Sequence, residues 1–218
     1  SSNCLLFEDV EPVFVDIDDR TFNLDPELVR KALLEDDERR SRIKAILAVD
    51  VFGHPADWSA LRDIADEFGL MLIEDSAESL GSNLNGQKAG SFGDAGIFAF
   101  YPNKQVTTGE GGAVLTDDDA FAELCRSLRN QGRGPSSEWL EHVRLGYNYR
   151  LSELHAALGV GQFERLDEIL AKRAQVAGWY DEHLASVPFL SVPGRESNSN
   201  IAWFIYVVRL RANVNRTK

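Results

Sequence analysis

The chain has 218 residues, 44% hydrophobic and 27% charged, a composition that supports a packed core and argues against a disordered or fibrous chain. Its formal net charge of −12 argues against non-specific nucleic-acid binding, which needs a basic surface, and still permits a local anion site. The two cysteines, Cys4 and Cys125, form neither a metal spacing nor a disulfide framework, and no apolar run reaches membrane-spanning length; a reducing, cytoplasmic setting is expected.

The chain opens at Ser1 without a methionine and stops soon after a strand-like run, so it reads as a piece of a longer polypeptide. Residues 13–17 (V-F-V-D-I) are β-branched and apolar, which predicts a strand. Asp25-Pro26-Glu27 then carries the signature of a helix start: a capping carboxylate, proline in the first turn and an acidic residue beside it. Residues 43–49 read as a buried strand, followed by a loop holding Gly53 and Pro55. Asp57 caps the next helix, whose Trp58, Leu61, Ala65 and Phe68 share a face and which Gly69 ends.

Residues 70–73 form a third strand that runs into Glu74-Asp75-Ser76-Ala77-Glu78. Carboxylates at the end of a parallel strand lie where open α/β sheets bind ligands, although Asp75 is equally explained as the cap of the following turn. Residues 97–116 contain two apolar runs joined by a polar, glycine-rich loop that carries Lys104. On this stretch alone a solvated loop charge is the simpler account of that lysine. The Gly109-x-Gly111-Gly112 cluster is no dinucleotide fingerprint, because a strand follows it instead of a helix.

Asp117 or Asp118 caps a helix with Phe121, Leu124, Cys125 and Leu128 on one face, which places Cys125 in the core. Residues 130–145 show no period and read as a mobile loop. Ser152 caps a long helical region reaching about Ala185, with Gly159 and Gly161 as bend points. Pro188 and Pro193 mark a linker, and residues 201–210 read as a strand that begins a second domain. The alternation of strands and helices over the first two thirds predicts an α/β fold with a mostly parallel sheet. His54, His142, His155 and His183 have no metal-ligand spacing, and surface or interface positions are expected for them.

Several motifs taken together, and in this order, resemble the DegT/DnrJ/EryC1/StrS family of sugar aminotransferases that use pyridoxal 5′-phosphate. They are V-F-V-D-I-D at 13–18, V-F-G-H-P-A-D at 51–57, I-E-D-S-A-E-S-L-G-S at 73–82, G-S-F-G-D-A-G-I-F-A-F-Y-P-N-K-Q-V-T-T-G-E-G-G at 90–112 and G-Y-N-Y-R-L-S-E-L at 146–154. The resemblance covers essentially the whole chain and is nearest to the perosamine-synthase-like branch. It implies an aspartate-aminotransferase-like fold (pyridoxal-phosphate fold type I) with a mostly parallel sheet of the seven-stranded type. The implied divisions are a large cofactor-binding α/β domain over 1–150 lacking its N-terminal part, linking helices over 151–187, and the incomplete start of a smaller α+β domain over 188–218.

The resemblance also implies roles. Lys104 would be the catalytic residue and hold the cofactor as an internal aldimine, and Asp75 would pair with the pyridine nitrogen. Glu78 stands where many relatives carry glutamine or histidine near the cofactor's 3′-oxygen, so its role is open between cofactor contact and surface or cap. Asn148 would reach the cofactor phosphate of a neighbouring subunit in a homodimer, with Arg150 beside it either helping or forming an ion pair. Ala99 occupies a position where many relatives have a phosphate-holding serine. The implied reaction moves an amino group, with glutamate the expected donor, to a keto group of a nucleotide-linked deoxysugar. The implied setting is amino-sugar synthesis for a polysaccharide or a glycosylated natural product. An incompetent piece serving as a structural subunit is the alternative from another class. A dehydratase relative is disfavoured, because those replace the lysine with histidine.

Overall fold

The computed structural model describes residues 1–135 and 141–211. A short helix, α1 (Asn3–Leu6), comes first. In α2 (Pro26–Glu35) the Asp25 carboxylate accepts the N–H groups of Glu27 at 2.9 Å and Leu28 at 3.4 Å, as a helix cap should. After α3 (Asp37–Arg42) the chain enters β1 (Ala45–Val49). Asp57 caps α4 (Trp58–Phe68) through the Ala60 N–H, and Gly69 closes it at φ 65°. There follow β2 (Met71–Asp75), β3 (Asn83–Leu84), β4 (Gln87–Lys88), β5 (Ala95–Ala99) and β6 (Gly112–Leu115). Then come α5 (Asp119–Arg129), capped by Asp118, and α6 (Glu153–Phe163), capped by Ser152. The long α7 (Leu166–Leu184) precedes the short strands β7 (Leu190–Ser191), β8 (Ser199–Asn200) and β9 (Arg209–Leu210).

Among the described residues the main sheet has four strands in the order β1-β2-β5-β6. The β1–β2 and β2–β5 pairs are parallel and β5–β6 is antiparallel, so the sheet is mostly parallel as the alternation predicts. The register sets Val49 beside Asp75 and Asp75 beside Ile97, which brings three strand ends to one edge. On one face, Ile46, Ala48 and Leu72 pack against Val29 and Leu33 of α2 and Trp58, Leu61, Ile64 and Ala65 of α4. Stacking of Trp58 on Phe92, with ring centroids 6.0 Å apart, extends that core. A second cluster joins Phe98, Phe100 and Val106 to Leu166 at the start of α7.

The structure corrects four local expectations. Residues 13–17 make no strand: Val13, Phe14 and Ile17 are exposed, and only Ile17 bridges, to Leu24. A β-branched run without a partner ladder stays merely extended. Residues 201–210 are not one strand either. Ile201 and Trp203 are buried against Ala177 of α7, and β9 alone pairs, with β7. The main-chain N–H groups of Ala202 and Phe204 are spent on Gly53 and Phe52 carbonyls, so no ladder forms there. Cys125 is half-buried, and Leu124 beside it is exposed, because α5 turns Ser127 inward instead. The long helix breaks at Glu164 and Arg165, not at its glycines. Gly159 has a packing reason: a Cβ there would meet Thr108 Cγ2 at 2.9 Å. In the loop at 130–145, Asn130 bridges Asn148 and Arg133 bridges His142, while residues 136–140 lie outside the described residues.

Phe52 and Gly53 sit at φ 62° and 92°, and a Cβ on Gly53 would come within 2.9–3.0 Å of three backbone atoms of Phe204, Glu78 and Trp203. Gly53→Ala is therefore expected to cost roughly 1–3 kcal/mol of stability, read as a lower denaturant midpoint at unchanged slope.

Candidate active site

Asp50, Asp75, Glu78 and Lys104 all lie at or after the carboxyl ends of β1, β2 and β5, because these parallel strands run to one edge. Lys104 follows β5 in a tight turn in which its N–H donates to the Tyr101 carbonyl at 3.0 Å. Its side chain is only 14% exposed, so the solvated-charge account does not hold. The ammonium lies 3.7 Å from Glu78 Oε1 and 4.4 Å from the centroid of the Phe204 ring.

Glu78 is fixed from its other oxygen, where Oε2 accepts the Phe52 N–H at 2.9 Å. Its carbonyl accepts the side-chain amide of Gln105, the residue after Lys104. The lysine turn is also held from behind. Arg173 of α7 donates to the carbonyls of Trp203 at 2.9 Å, Phe204 at 3.0 Å and Lys104 at 3.3 Å. Burial pushes the Arg173 guanidinium below its ordinary range.

Asp75, half-buried at the end of β2, accepts the Ala77 N–H at 3.2 Å on Oδ1 and the Ser1 hydroxyl on Oδ2. It does serve the following turn as a cap, and it shares the edge with Lys104 and Glu78. Asn148 is exposed and stands apart: its Oδ1 accepts Arg150 Nε at 2.9 Å, and its backbone bridges Asn130. Ala99 closes β5. His54 is buried, contrary to expectation, with Nε2 3.3 Å from Ser199 Oγ; burial lowers its pKa against the opposing pull of Asp18.

Strand alternation turns Glu74 to the opposite face from Asp75, into the protein. Its carboxyl receives the N–H groups of Gly90, of Phe92 at 2.7 Å and of Gly93 at 3.2 Å. Asp50, just beyond β1, is also fully buried and accepts from the Ala56 N–H at 2.9 Å, Trp58 Nε1 at 2.8 Å, Ser76 Oγ at 2.8 Å and Ser79 Oγ at 2.6 Å. Burial, opposed by those hydrogen bonds and reinforced by Glu74, pushes Asp50 up to about 6. Sequence reading passed over Asp50, Arg173 and Phe204. Asp50 carries the signal that singled out Asp75, a carboxylate ending a parallel strand; Arg173 and Phe204 carry none.

These residues fit pyridoxal phosphate by their chemistry. A primary amine shielded from water stands at the edge where a strand-end carboxylate can meet a ring nitrogen, with a second carboxylate beside the amine. Residues 1–218 match the DegT/DnrJ/EryC1/StrS aminotransferase family. The chain belongs to that family. It is 38% identical over 224 residues to the GDP-perosamine synthase of Caulobacter vibrioides, covering all of this chain and 57% of that protein. Among solved structures, Helicobacter pylori PseC, an aminotransferase involved in the biosynthesis of pseudoaminic acid, superposes with a TM-score of 0.89 at 28% identity, over 97% of this chain and 55% of that one. S. venezuelae DesV gives 0.84 at 35% identity, over 94% and 53%. The chain thus has the aspartate-aminotransferase-like fold of its family and spans about half the length of the relatives it matches.

Asp50 yields a signed pH prediction. Its folded-state pKa of about 6 stands above the ordinary 3.8, so between those values the folded form holds the extra proton and stability falls as pH rises. Asp50→Asn is expected to remove that dependence. The unfolding free energy of the unsubstituted protein relative to the Asn variant should drop by about 2 kcal/mol from pH 4 to pH 7, measured by denaturant titration.

Proposed function

We propose that the protein carrying this chain is a pyridoxal-phosphate-dependent sugar aminotransferase that moves an amino group, from glutamate, to the keto group of a nucleotide-linked deoxysugar. The observation that carries this reading is a shielded lysine amine 3.7 Å from a carboxylate at the carboxyl edge of a parallel sheet. The similarity to a GDP-perosamine synthase supports a 4-keto sugar nucleotide as acceptor. Residues 1–150, 151–187 and 188–218 are proposed as cofactor domain, linking helices and part of the smaller domain.

When bound, pyridoxal phosphate supplies an electron-poor ring that takes up the electron pair released at the donor's Cα. Lys104 Nζ holds the cofactor and is the base that removes and returns the Cα proton. Glu78 Oε1 stands 3.7 Å from that amine and stabilises it electrostatically while it carries the proton. Asp75 would hold the ring nitrogen through its carboxyl. The Phe204 ring and the covered position of Lys104 exclude water from the amine. Asn148 projects from an exposed strip and is proposed to reach the phosphate in a second copy of the chain. The bare apolar side chains of Leu145, Tyr149, Leu154 and Val160 support that homodimer. No described helix is long and apolar enough to cross a membrane.

Adding pyridoxal phosphate to the full gene product is expected to give a visible absorption band that Lys104→Ala abolishes. Asp75→Asn should keep the band and slow amino transfer at least about a hundredfold, because proton removal loses its electron sink. A coupled assay over 3-keto and 4-keto nucleotide sugars measures the transfer. No band under any condition would favour a structural subunit, and a band without turnover of any acceptor would count against the sugar.

A further inference from the structure

Both carboxylates that face the proposed site are followed by a serine: Asp75 by Ser76 and Glu78 by Ser79. Both serines are fully buried, and both hydroxyls meet one oxygen, Asp50 Oδ2, at 2.8 Å and 2.6 Å. The Asp50 main-chain N–H, in addition, donates to the Asp75 carbonyl at 3.1 Å. Asp50 is itself anchored away from this segment, through Oδ1, by the Ala56 N–H and the Trp58 indole of the α4 entrance. A single buried carboxyl thus joins the rigid start of α4 to both ends of the short turn that presents Asp75 and Glu78.

A proton count adds to the geometry. Ser76 Oγ lies 2.8 Å from Asp50 Oδ2 and 2.6 Å from Glu74 Oε1, and a hydroxyl has one proton to give. It therefore donates to one of the two carboxyls at a time. Both oxygens of Glu74 also receive backbone N–H groups, whereas Asp50 Oδ2 meets only the two serine hydroxyls. One hydroxyl is thus shared between the two buried carboxyls, and Asp50 Oδ2 is tied to the 76–79 turn by Ser76 and Ser79 together. The charged group acting on Asp50 is Glu74 of β2, and the groups meeting it from α4 and from the 76–79 turn are neutral.

We propose that Asp50 is a positioning residue for the amino transfer: through Ser76, Ser79 and the Asp75 carbonyl it fixes Asp75 and Glu78 relative to Lys104. The inference rests on the aminotransferase reading above. It touches neither cofactor nor substrate and acts through the two carboxylates. The tie is made by hydrogen bonds to the Asp50 side chain, which an amide can keep and a methyl cannot.

The test compares Asp50→Ala and Asp50→Asn in the full gene product loaded with pyridoxal phosphate, reading kcat, KM for the sugar nucleotide and the pH midpoint of the cofactor's visible band. Asp50→Ala is expected to lower kcat roughly tenfold or more, with KM changed less than about twofold, and to shift the midpoint, because Asp75 and Glu78 lose their fixed places. Asp50→Asn should recover most of the lost kcat and restore the midpoint. An Ala variant with unchanged kcat and midpoint, or an Asn variant as impaired as Ala, would overturn the proposal. If the Ala variant does not fold, Ser76→Ala cuts the tie beside Asp75 alone and is expected to shift the midpoint; no change in kcat or midpoint would again overturn it. A missing band in the unsubstituted protein would refute the aminotransferase reading and this inference with it, whereas a normal band with unresponsive variants refutes the inference alone.

Discussion

Parallel pairing of β1, β2 and β5 is the constraint on which the site depends. Residues far apart in sequence, Asp50, Asp75 and the Lys104 loop, reach one edge only because the three strands run the same way. The antiparallel β6 returns the chain from the lysine loop to the same sheet, so both ends of that loop are anchored. A parallel sheet needs helical crossovers, and α4 supplies the one between β1 and β2. That crossover places Trp58, buried in the core, under the edge where its indole holds Asp50. Packing and site construction are therefore the same act at this position.

Two buried carboxyls under that edge run against the general preference for apolar interiors, since an unpaired buried charge is costly. The cost is met by donors: Glu74 draws its N–H groups from the 90–93 turn, and Asp50 draws its donors from α4 and the serines of the 76–79 turn. The Glu74 donors and the two serines on Asp50 come from turns that lack a ladder of their own. The carboxyls thus give the loops backbone partners, and the loops keep the carboxyls tolerable. This mutual arrangement accounts for irregular segments holding defined positions next to a regular sheet.

Much of this was legible in the sequence. The caps at Asp25, Asp57, Asp118 and Ser152, and the stop at Gly69, are local chemistry and formed where local chemistry predicts. The carboxylate at the end of β2 and the lysine in a glycine-rich loop were also visible as candidates. What failed was whatever depends on a distant partner. Residues 13–17 have strand composition and no ladder, and residues 201–210 spend their main-chain donors on Phe52 and Gly53. Phe204 over Lys104 and Arg173 behind it join positions 69 or more residues apart, and no local pattern announces such contacts. Asp50 was legible in principle, by the argument that singled out Asp75, and was hidden by the loop in which it sits.

The contact between Lys104 and Glu78 divides the labour between a movable group and a fixed one. At 3.7 Å the amine is beyond hydrogen-bond reach of the carboxylate, so field and the Phe204 face hold it, with no directional bond to break. Glu78, by contrast, is bonded through Oε2 to the Phe52 N–H, and Phe52 is held at a positive φ beside Gly53. Strain at Phe52 is worth keeping only if the N–H direction matters, and that N–H points at Glu78. A lysine with the role proposed for Lys104 would need such asymmetry: an amine free of directional bonds facing a carboxylate that is held in place. The 52–53 turn, the Glu78 carboxylate and the Arg173 clamp on the lysine backbone together supply it, while the Lys104 amine lies over the Phe204 ring.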